Sequence, residues 1–127
     1  MSRNCLEGVV IAGFKQAGKL GYPTANVLLP PDLVPPAGVY ASWVDYKHTM
    51  LAGALVVGVE PAKSEVYILD WSGDLYRQKV KIYIVQKVSD IQFFDDRSLL
   101  IRKIVEDVAR VRQVLNQSPK SDLCLPE

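Results

Sequence analysis

The sequence is poor in the residues that most often mark a functional site by themselves. Its 127 residues include one histidine and two cysteines. Cys5 and Cys124 lie near opposite ends without CxxC spacing, so we expect two free thiols, and a disulfide between the termini is the alternative. His48 has no partner at metal-ligand spacing, and we expect it in a surface turn rather than in the role of a catalytic base.

Excess charge and long apolar runs are also missing. The formal net charge is +1, which gives no electrostatic reason to expect nucleic acid or an anionic membrane as a partner. No apolar run approaches the ~20 residues that span a bilayer, and the first residues lack the apolar core of a signal peptide. We therefore expect a soluble cytoplasmic protein, a monomer, with neither a membrane nor a nucleic-acid partner.

What the sequence does have is material for one β-rich domain. Nearly half of the residues, 49%, are hydrophobic, which is enough to bury a core. Segments rich in β-branched and aromatic residues predict six mostly antiparallel strands, at residues 5–13, 24–29, 39–46, 50–59, 65–70 and 79–85. Alternation in the third segment puts Val39, Ala41 and Trp43 on one face and Tyr40 and Val44 on the other.

The pattern changes to a helical one from Asp95 onward. Apolar residues at 100, 104, 108, 111 and 115 form a helical stripe, with Asp95 or Asp96 as the N-cap and an end between Asn116 and Pro119. We expect a single domain over residues 1–127, with a core from about 6 to 115 and a loose tail at 116–127. Six strands are most easily accommodated as a closed barrel, and a two-sheet sandwich is the alternative.

Candidate binding residues cluster in the stretch "KLGYPTANV", residues 19 to 27. Two residues apart on a strand, Thr24 and Asn26 would face the same side, and their two neutral oxygens suit Mg²⁺ with substrate phosphates as further ligands. A threonine–asparagine turn motif that only satisfies backbone groups is the alternative. The preceding glycines, Gly13, Gly18 and Gly21, and the nearby Lys19 could surround an anion, or could form an ordinary connection.

Glu65 is the candidate general base. It stands at the entrance of the fifth strand, where Val66 and Ile68 would share one face and Glu65, Tyr67 and Leu69 the other. A carboxylate partly shielded from water by such neighbours suits proton abstraction. The alternative is a solvated glutamate at a strand end. No phosphate loop of the type G-x-x-x-x-G-K-[ST], no G-x-S-x-G elbow and no protein-kinase signature occurs in the sequence.

Four stretches together resemble the riboflavin kinase family: "GKLGYPTANV", "PPAGVYA", "SEVYILDWSGDLY" and "FFDDRSLLIRKIVEDVAR". They occur in the family's order and spacing, and the resemblance runs from about Leu6 to about Leu115. It implies a six-stranded antiparallel barrel of Greek-key type with a long C-terminal helix. It also implies transfer of the γ-phosphate of ATP to the 5′-hydroxyl of riboflavin, which gives FMN.

The resemblance also implies a role for each candidate residue. Glu65 would be the base, and Thr24 and Asn26 would hold Mg²⁺. Phe94 and Leu99, before and within the helix, would cover the isoalloxazine ring. The residues around the nucleotide phosphates would be Gly13, Gly18, Lys19, Gly21, Pro23, Thr24 and Asn26. An adenylyltransferase domain, fused or separate, would be the natural partner.

Several positions depart from the family pattern. Arg77 replaces a glycine after "LY", and Ser89 and Ile91 replace an arginine and a glutamate after the last strand. In the first loop, residues 15–17 are larger than is common in the family. The alternative function is therefore a flavin- or nucleotide-binding barrel with weak or no catalysis. A barrel of the OB type for single-stranded nucleic acid would need a basic groove, which the net charge opposes.

Overall fold

The computed structural model describes residues 5–11, 15–16, 23–58, 64–70 and 75–119, without the side chains of residues 15, 16, 23 and 24. Seven strands and one long helix follow one another. Their bounds are β1 Cys5–Val10, β2 Lys15–Gln16, β3 Pro23–Leu28, β4 Gly38–Tyr46, β5 Thr49–Val57, β6 Ser64–Ile68, β7 Lys79–Ser89 and α1 Arg97–Gln117. A short 3₁₀ helix, Pro31–Leu33, lies in the proline-rich connection before β4.

Six of these strands form a closed antiparallel barrel. The strand order is β1-β7-β4-β5-β6-β3, and β1 also pairs with β3, which closes the ring. The predicted barrel is therefore confirmed and the sandwich is excluded. The two-residue β2 pairs with the start of β3 and was not predicted, because two residues carry no periodicity.

Closure depends on a close approach between β1 and β3. Gly8 of β1 lies against this seam, where an added Cβ would be 2.6 Å from Cγ2 of Val27 and 3.0 Å from the carbonyl oxygen of Leu28. Such contacts are too short for any side chain, so glycine is required there. The seam also carries a hydrogen bond from the Ile11 amide to the carbonyl oxygen of Asn26, 3.0 Å long.

The barrel interior is filled by what we call the inner cluster, whose members are apolar side chains from every barrel strand. They are Leu6, Val10, Ala25, Val27, Leu29, Tyr40, Val44, Leu55, Val57, Val66, Ile68, Leu75, Val80 and Ile82. The alternation predicted for β4 is confirmed, because Tyr40 and Val44 belong to this cluster while Val39 and Ala41 lie on the opposite face.

Helix α1 covers the outside of the barrel rather than its interior. The buried apolar residues of α1 are Ile104, Val108, Val111 and Leu115, four of the five predicted stripe positions, and the fifth, Leu100, is partly buried. They pack on Val39, Ala41, Ala54 and Leu69 of the sheet, and together these residues form what we call the outer cluster. The helix thereby fixes one outer face of the barrel.

Both ends of α1 are held by specific hydrogen bonds. Asp96 is the N-cap, and its side chain accepts from the Ser98 amide at 2.7 Å, as predicted. At the other end the Trp43 indole nitrogen donates to the carbonyl oxygen of Ser118 at 2.9 Å. The helix ends at Gln117, within the predicted range from Asn116 to Pro119, and this bond anchors the residue after it.

Lys47, His48 and Arg77 are among the described residues with a left-handed backbone. Lys47 and His48, with φ values of 50° and 67°, form the two-residue turn between β4 and β5, as that hairpin geometry requires. The prediction of a turn residue for His48 is confirmed. Arg77 has a φ of 66°, which explains why glycine is the usual residue at this place in the family pattern.

Two further sequence expectations concern the cysteines and membrane-spanning segments. Cys5 carries a free thiol, while Cys124 lies outside the described residues. In the described part of the chain no helix is long and apolar enough to cross a membrane.

Candidate active site

The candidate base and a candidate metal ligand lie on neighbouring strands. In the antiparallel register of β3 and β6, Asn26 is opposite Glu65 and the intervening pair is Ala25 opposite Val66. Ala25 and Val66 are both fully buried in the inner cluster, so Asn26 and Glu65 face the outside. Directly opposed residues have Cβ atoms about 4.5–5.5 Å apart, and the two polar side chains are therefore immediate neighbours.

The apolar residues of the two strands determine this arrangement. Ala25 and Val27 of β3 and Val66 and Ile68 of β6 all belong to the inner cluster. A slip of one residue would turn that apolar set outward and is therefore strongly disfavoured. The polar positions between them must lie outside the barrel, in a register that keeps Asn26 beside Glu65.

Glu65 has an apolar neighbour on its other side. It is opposite Val56 of β5, which packs against the outer cluster, and it is itself half-buried. Tyr67, two residues on, packs against the same cluster. Tyr67 and Leu69 thus share an outer face with Glu65, as the sequence predicts.

The environment of Tyr67 is unusual for a tyrosine on the outside of a barrel. Burial is the main cause that raises the pKa of Tyr67 to about 12, and the negative charges of Glu65 and Asp107 add to it. The phenol therefore stays protonated at neutral pH. It is near enough to Glu65 of β6 and Asp107 of α1 for both negative charges to act on it.

Most of the predicted phosphate loop lies outside the described residues. This applies to Gly13, Gly18, Lys19 and Gly21. Pro23 and Thr24 are in β3, as extended backbone, and their side chains are not among those described. Their backbone pairs with Lys15 and Gln16 of β2, with Lys15 opposite Thr24. The roles of these residues in nucleotide binding stay predictions.

Phe94 and Leu99 lie around the start of the helix. Phe94 is half-buried in the connection between β7 and α1, and Leu99 is in the first turn of α1 with 45% of its surface exposed. At this end of the helix Leu100 and Ile91 pack against the outer cluster together with Tyr67. Leu100 contributes to that cluster, as its place in the predicted stripe indicates, and the role of Phe94 and Leu99 as a flavin cover stays a prediction.

A polar cluster between β7 and α1 was not found from the sequence. The Lys103 ammonium donates to Ser89 Oγ at 2.9 Å and to Asp107 Oδ2 at 2.6 Å. Both charged side chains are mostly buried, with 12% and 9% of their surface exposed. Their i, i+4 spacing on the predicted helix was the available signal. Ser89 replaces an arginine of the family pattern, but a cation still lies beside this position, because the Lys103 ammonium of α1 bonds to Ser89.

Comparison with known proteins shows the family to which the chain belongs. A model of the riboflavin kinase family matches residues 2–115. A bifunctional riboflavin kinase/FMN adenylyltransferase from Pseudomonas fluorescens is 38% identical over 114 residues, which cover 84% of this chain and 37% of that protein. One of the same name from Buchnera aphidicola subsp. Acyrthosiphon pisum (strain APS) is 34% identical over 120 residues, 87% of this chain and 38% of that protein.

A solved structure shows the same fold. The crystal structure of riboflavin kinase from Trypanosoma brucei matches with a TM-score of 0.68 at 24% identity, and the match covers 91% of this chain and 78% of that one. This chain spans less than two fifths of the length of the two bacterial relatives. The family match extends over β1 to β7 and nearly all of α1, so the chain belongs to the riboflavin kinase family.

Proposed function

We propose that this chain transfers the γ-phosphoryl group of ATP to the ribityl 5′-hydroxyl of riboflavin, giving FMN and ADP. The observation that carries the proposal is the register that pairs Asn26 with Glu65 on the outer face of β3 and β6. Phosphoryl transfer depends mainly on positioning and on neutralising charge, with one group to orient and deprotonate the nucleophile. The pairing offers a base and an oxygen donor as neighbours.

Glu65 has the role of general base. The 5′-oxygen of riboflavin forms a bond to the γ-phosphorus while the bond from that phosphorus to the β,γ-bridging oxygen breaks. The hydroxyl proton passes to the Glu65 carboxylate, and ADP leaves with the bridging oxygen. The half-buried position of Glu65 beside Val56 limits the water that would compete for the carboxylate.

The donor set at this place fits Mg²⁺ carried in with the nucleotide. The Asn26 amide oxygen is a hard, neutral donor, and the family resemblance implies the hydroxyl of Thr24, on the same strand, as a second one. Mg²⁺ takes few protein ligands of this kind and completes its shell with water and phosphate oxygens. Among the described residues no group of three or more His, Cys, Asp or Glu side chains is placed to hold a metal. When bound, the ion offsets the charge of the phosphates.

The test is the formation of FMN by the purified chain with riboflavin, ATP and Mg²⁺, followed by chromatography. Glu65→Gln keeps the size and polarity of the side chain but removes the base, so we expect its turnover to fall by about 10²–10⁴-fold while riboflavin and ATP still bind. Glu7→Gln is the matched control, because Glu7 is exposed on β1 opposite Lys81, away from the β3–β6 pair. It should keep the wild-type rate.

The wild-type chain and the two variants together distinguish three outcomes. FMN formation that requires Glu65 but not Glu7 supports the proposed reaction and its base. FMN formation by Glu65→Gln at the wild-type rate would remove Glu65 from that role. Binding of riboflavin or nucleotide by the wild-type chain without any FMN would favour a binding barrel without catalysis.

A further inference from the structure

Tyr67 is at the centre of the outer face that carries the candidate site. It is opposite Thr24 of β3 on one side and Ala54 of β5 on the other, and it is two residues from Glu65 on its own strand. The neighbour on β5 is therefore small, and it is buried in the outer cluster with 1% of its surface exposed. A ligand at Glu65 that extends along β6 toward the C-terminal end of the strand therefore lies beside Tyr67.

The Tyr67 hydroxyl differs from other buried polar groups because it makes no hydrogen bond within the described part of the chain. Tyr40 Oη donates to the carbonyl oxygen of Pro36 at 2.6 Å, and the Tyr83 hydroxyl bonds to the Cys5 sulfur. No such bond is found for Tyr67 among the described residues.

Tyr67 is half-buried as a residue, and its ring packs against the outer cluster. Among the described residues no side-chain oxygen or nitrogen is both fully buried and without a hydrogen-bond partner, so the Tyr67 oxygen is not completely covered. A fixed ring whose hydroxyl has no partner among the described residues is well suited to hydrogen-bond a ligand.

The charge around Tyr67 determines what kind of ligand fits. Glu65 and Asp107 both act on the phenol, and the Lys103 ammonium is already bonded to Asp107 and Ser89. Lys103 offsets the charge of Asp107, so the Glu65 carboxylate is left to repel a negatively charged group that carries no cation of its own. A neutral group that can both donate and accept hydrogen bonds, such as an alcohol, meets no such repulsion.

We propose that Tyr67 binds a hydroxyl of the polyol chain of the acceptor substrate and so aligns the terminal hydroxyl with Glu65. This inference rests on the proposed function, and it assigns Tyr67 to recognition of the acceptor rather than of the nucleotide. The phenol would discriminate acceptors by their hydroxyl groups, because an acceptor without the bonded hydroxyl leaves Tyr67 unpaired.

The test compares Tyr67→Phe with Tyr83→Phe. Each variant loses one hydroxyl from a tyrosine on the outer face of the barrel, and burial raises the pKa of both phenols to about 12. For Tyr67→Phe we expect kcat/KM for riboflavin to fall about tenfold, with the KM for ATP within about twofold of the wild-type value. Tyr83→Phe should leave both constants unchanged.

A second arm varies the substrate of the wild-type chain and needs no variant to fold. Riboflavin analogues that each lack one hydroxyl, at the ribityl 2′, 3′ or 4′ carbon, should include one that loses about tenfold in kcat/KM with the wild-type protein. The same analogue should lose little further with Tyr67→Phe, since each change removes the same bond.

Each outcome is decisive for the inference. Equal effects of Tyr67→Phe on riboflavin and ATP, or additive losses with every analogue, would overturn it. If the wild-type chain forms no FMN, the proposed reaction fails. The Tyr67 inference is then judged by riboflavin binding, measured as quenching of flavin fluorescence. Weaker binding by Tyr67→Phe, but not by Tyr83→Phe, would support it, and unchanged or absent binding would refute it.

Discussion

The inner and outer clusters of this fold differ in the polar side chains that lie within or beside them. The inner cluster consists of apolar side chains and one tyrosine whose hydroxyl bonds to a backbone carbonyl. The outer cluster, which lies under α1, adjoins the Lys103–Asp107 pair, the Trp43 indole and Tyr67. Among the described residues the polar chemistry is thus concentrated outside the barrel, and the interior acts as a scaffold.

This difference separates stability from function. Substitutions in the inner cluster should cost free energy of unfolding whatever the ligand, because they leave cavities in a close-packed interior. Substitutions of the polar side chains beside the outer cluster should change binding and catalysis at a smaller cost in stability. The candidate site follows this division, since Asn26 and Glu65 are outside only because their strand neighbours Ala25 and Val66 are inside.

The largest expected effect is that of a cavity in the inner cluster. Leu55 of β5 is fully buried, so we expect Leu55→Ala to lower the free energy of unfolding by about 3–5 kcal/mol. Leu28→Ala makes the same change on β3, where the side chain is 56% exposed, and should cost less than about 1 kcal/mol. Chemical denaturation of both variants measures the difference, and equal losses would contradict the assignment of inside and outside.

An intermediate effect is expected from the buried ion pair. Lys103→Met leaves the Asp107 carboxylate, which is 6% exposed as a residue, without its cation. We expect a loss of about 2 kcal/mol, below the value for a fully buried pair because this one lies at the edge of the helix. The double variant Lys103→Met/Asp107→Leu should recover part of that loss, since no charge then stays buried.

A four-protein cycle of chemical unfolding measures the coupling between Lys103 and Asp107. A double variant that is as unstable as the sum of the two single variants would show that the pair itself is not what stabilises this edge. Turnover measured in the same four proteins shows whether the Lys103–Asp107 pair also matters for catalysis. Loss of the Lys103–Asp107 pair should lower turnover only if it displaces Tyr67 or the outer-cluster residues packed against it.

Much of the fold was predictable because its signals are local. The alternation in β4 and β6 assigns each residue to a face without knowledge of neighbouring strands. The helix follows from one apolar stripe and from the Asp96 cap, both of which the structure contains. The turn at Lys47 and His48 is likewise a property of a few consecutive residues.

The candidate site was predictable only in part, because it depends on pairing between distant segments. Sequence spacing places Glu65 and Tyr67 on one face of β6, but only the register of β3 and β6 brings Asn26 beside Glu65. The same holds for Lys103, whose contact with Ser89 joins α1 to β7. Local patterns do not encode such contacts, and in this chain the family resemblance compensated for them at Asn26 but not at Lys103.

The smallest expected effect concerns an exposed link between the helix and the end of β6. Arg112 makes two hydrogen bonds to the Asp70 carboxylate, of 2.6 and 2.9 Å. The hydrogen bond from Arg112 is the main cause that lowers the pKa of Asp70 below its ordinary value of 3.8. Because the pKa is lowered by folding, the bond stabilises the protein above that value and its contribution disappears as the pH falls through the lowered pKa.

Asp70→Asn tests this link without disturbing the backbone, since asparagine tolerates the left-handed conformation that Asp70 adopts, with a φ of 56°. We expect the melting temperature to fall by less than about 3 °C at pH 7, and the difference from the wild type to shrink as the pH falls below 3.8. Salt should reduce it as well, because the pair is exposed. A difference that persists unchanged at low pH would mean that Asp70 acts through its backbone conformation rather than through its charge.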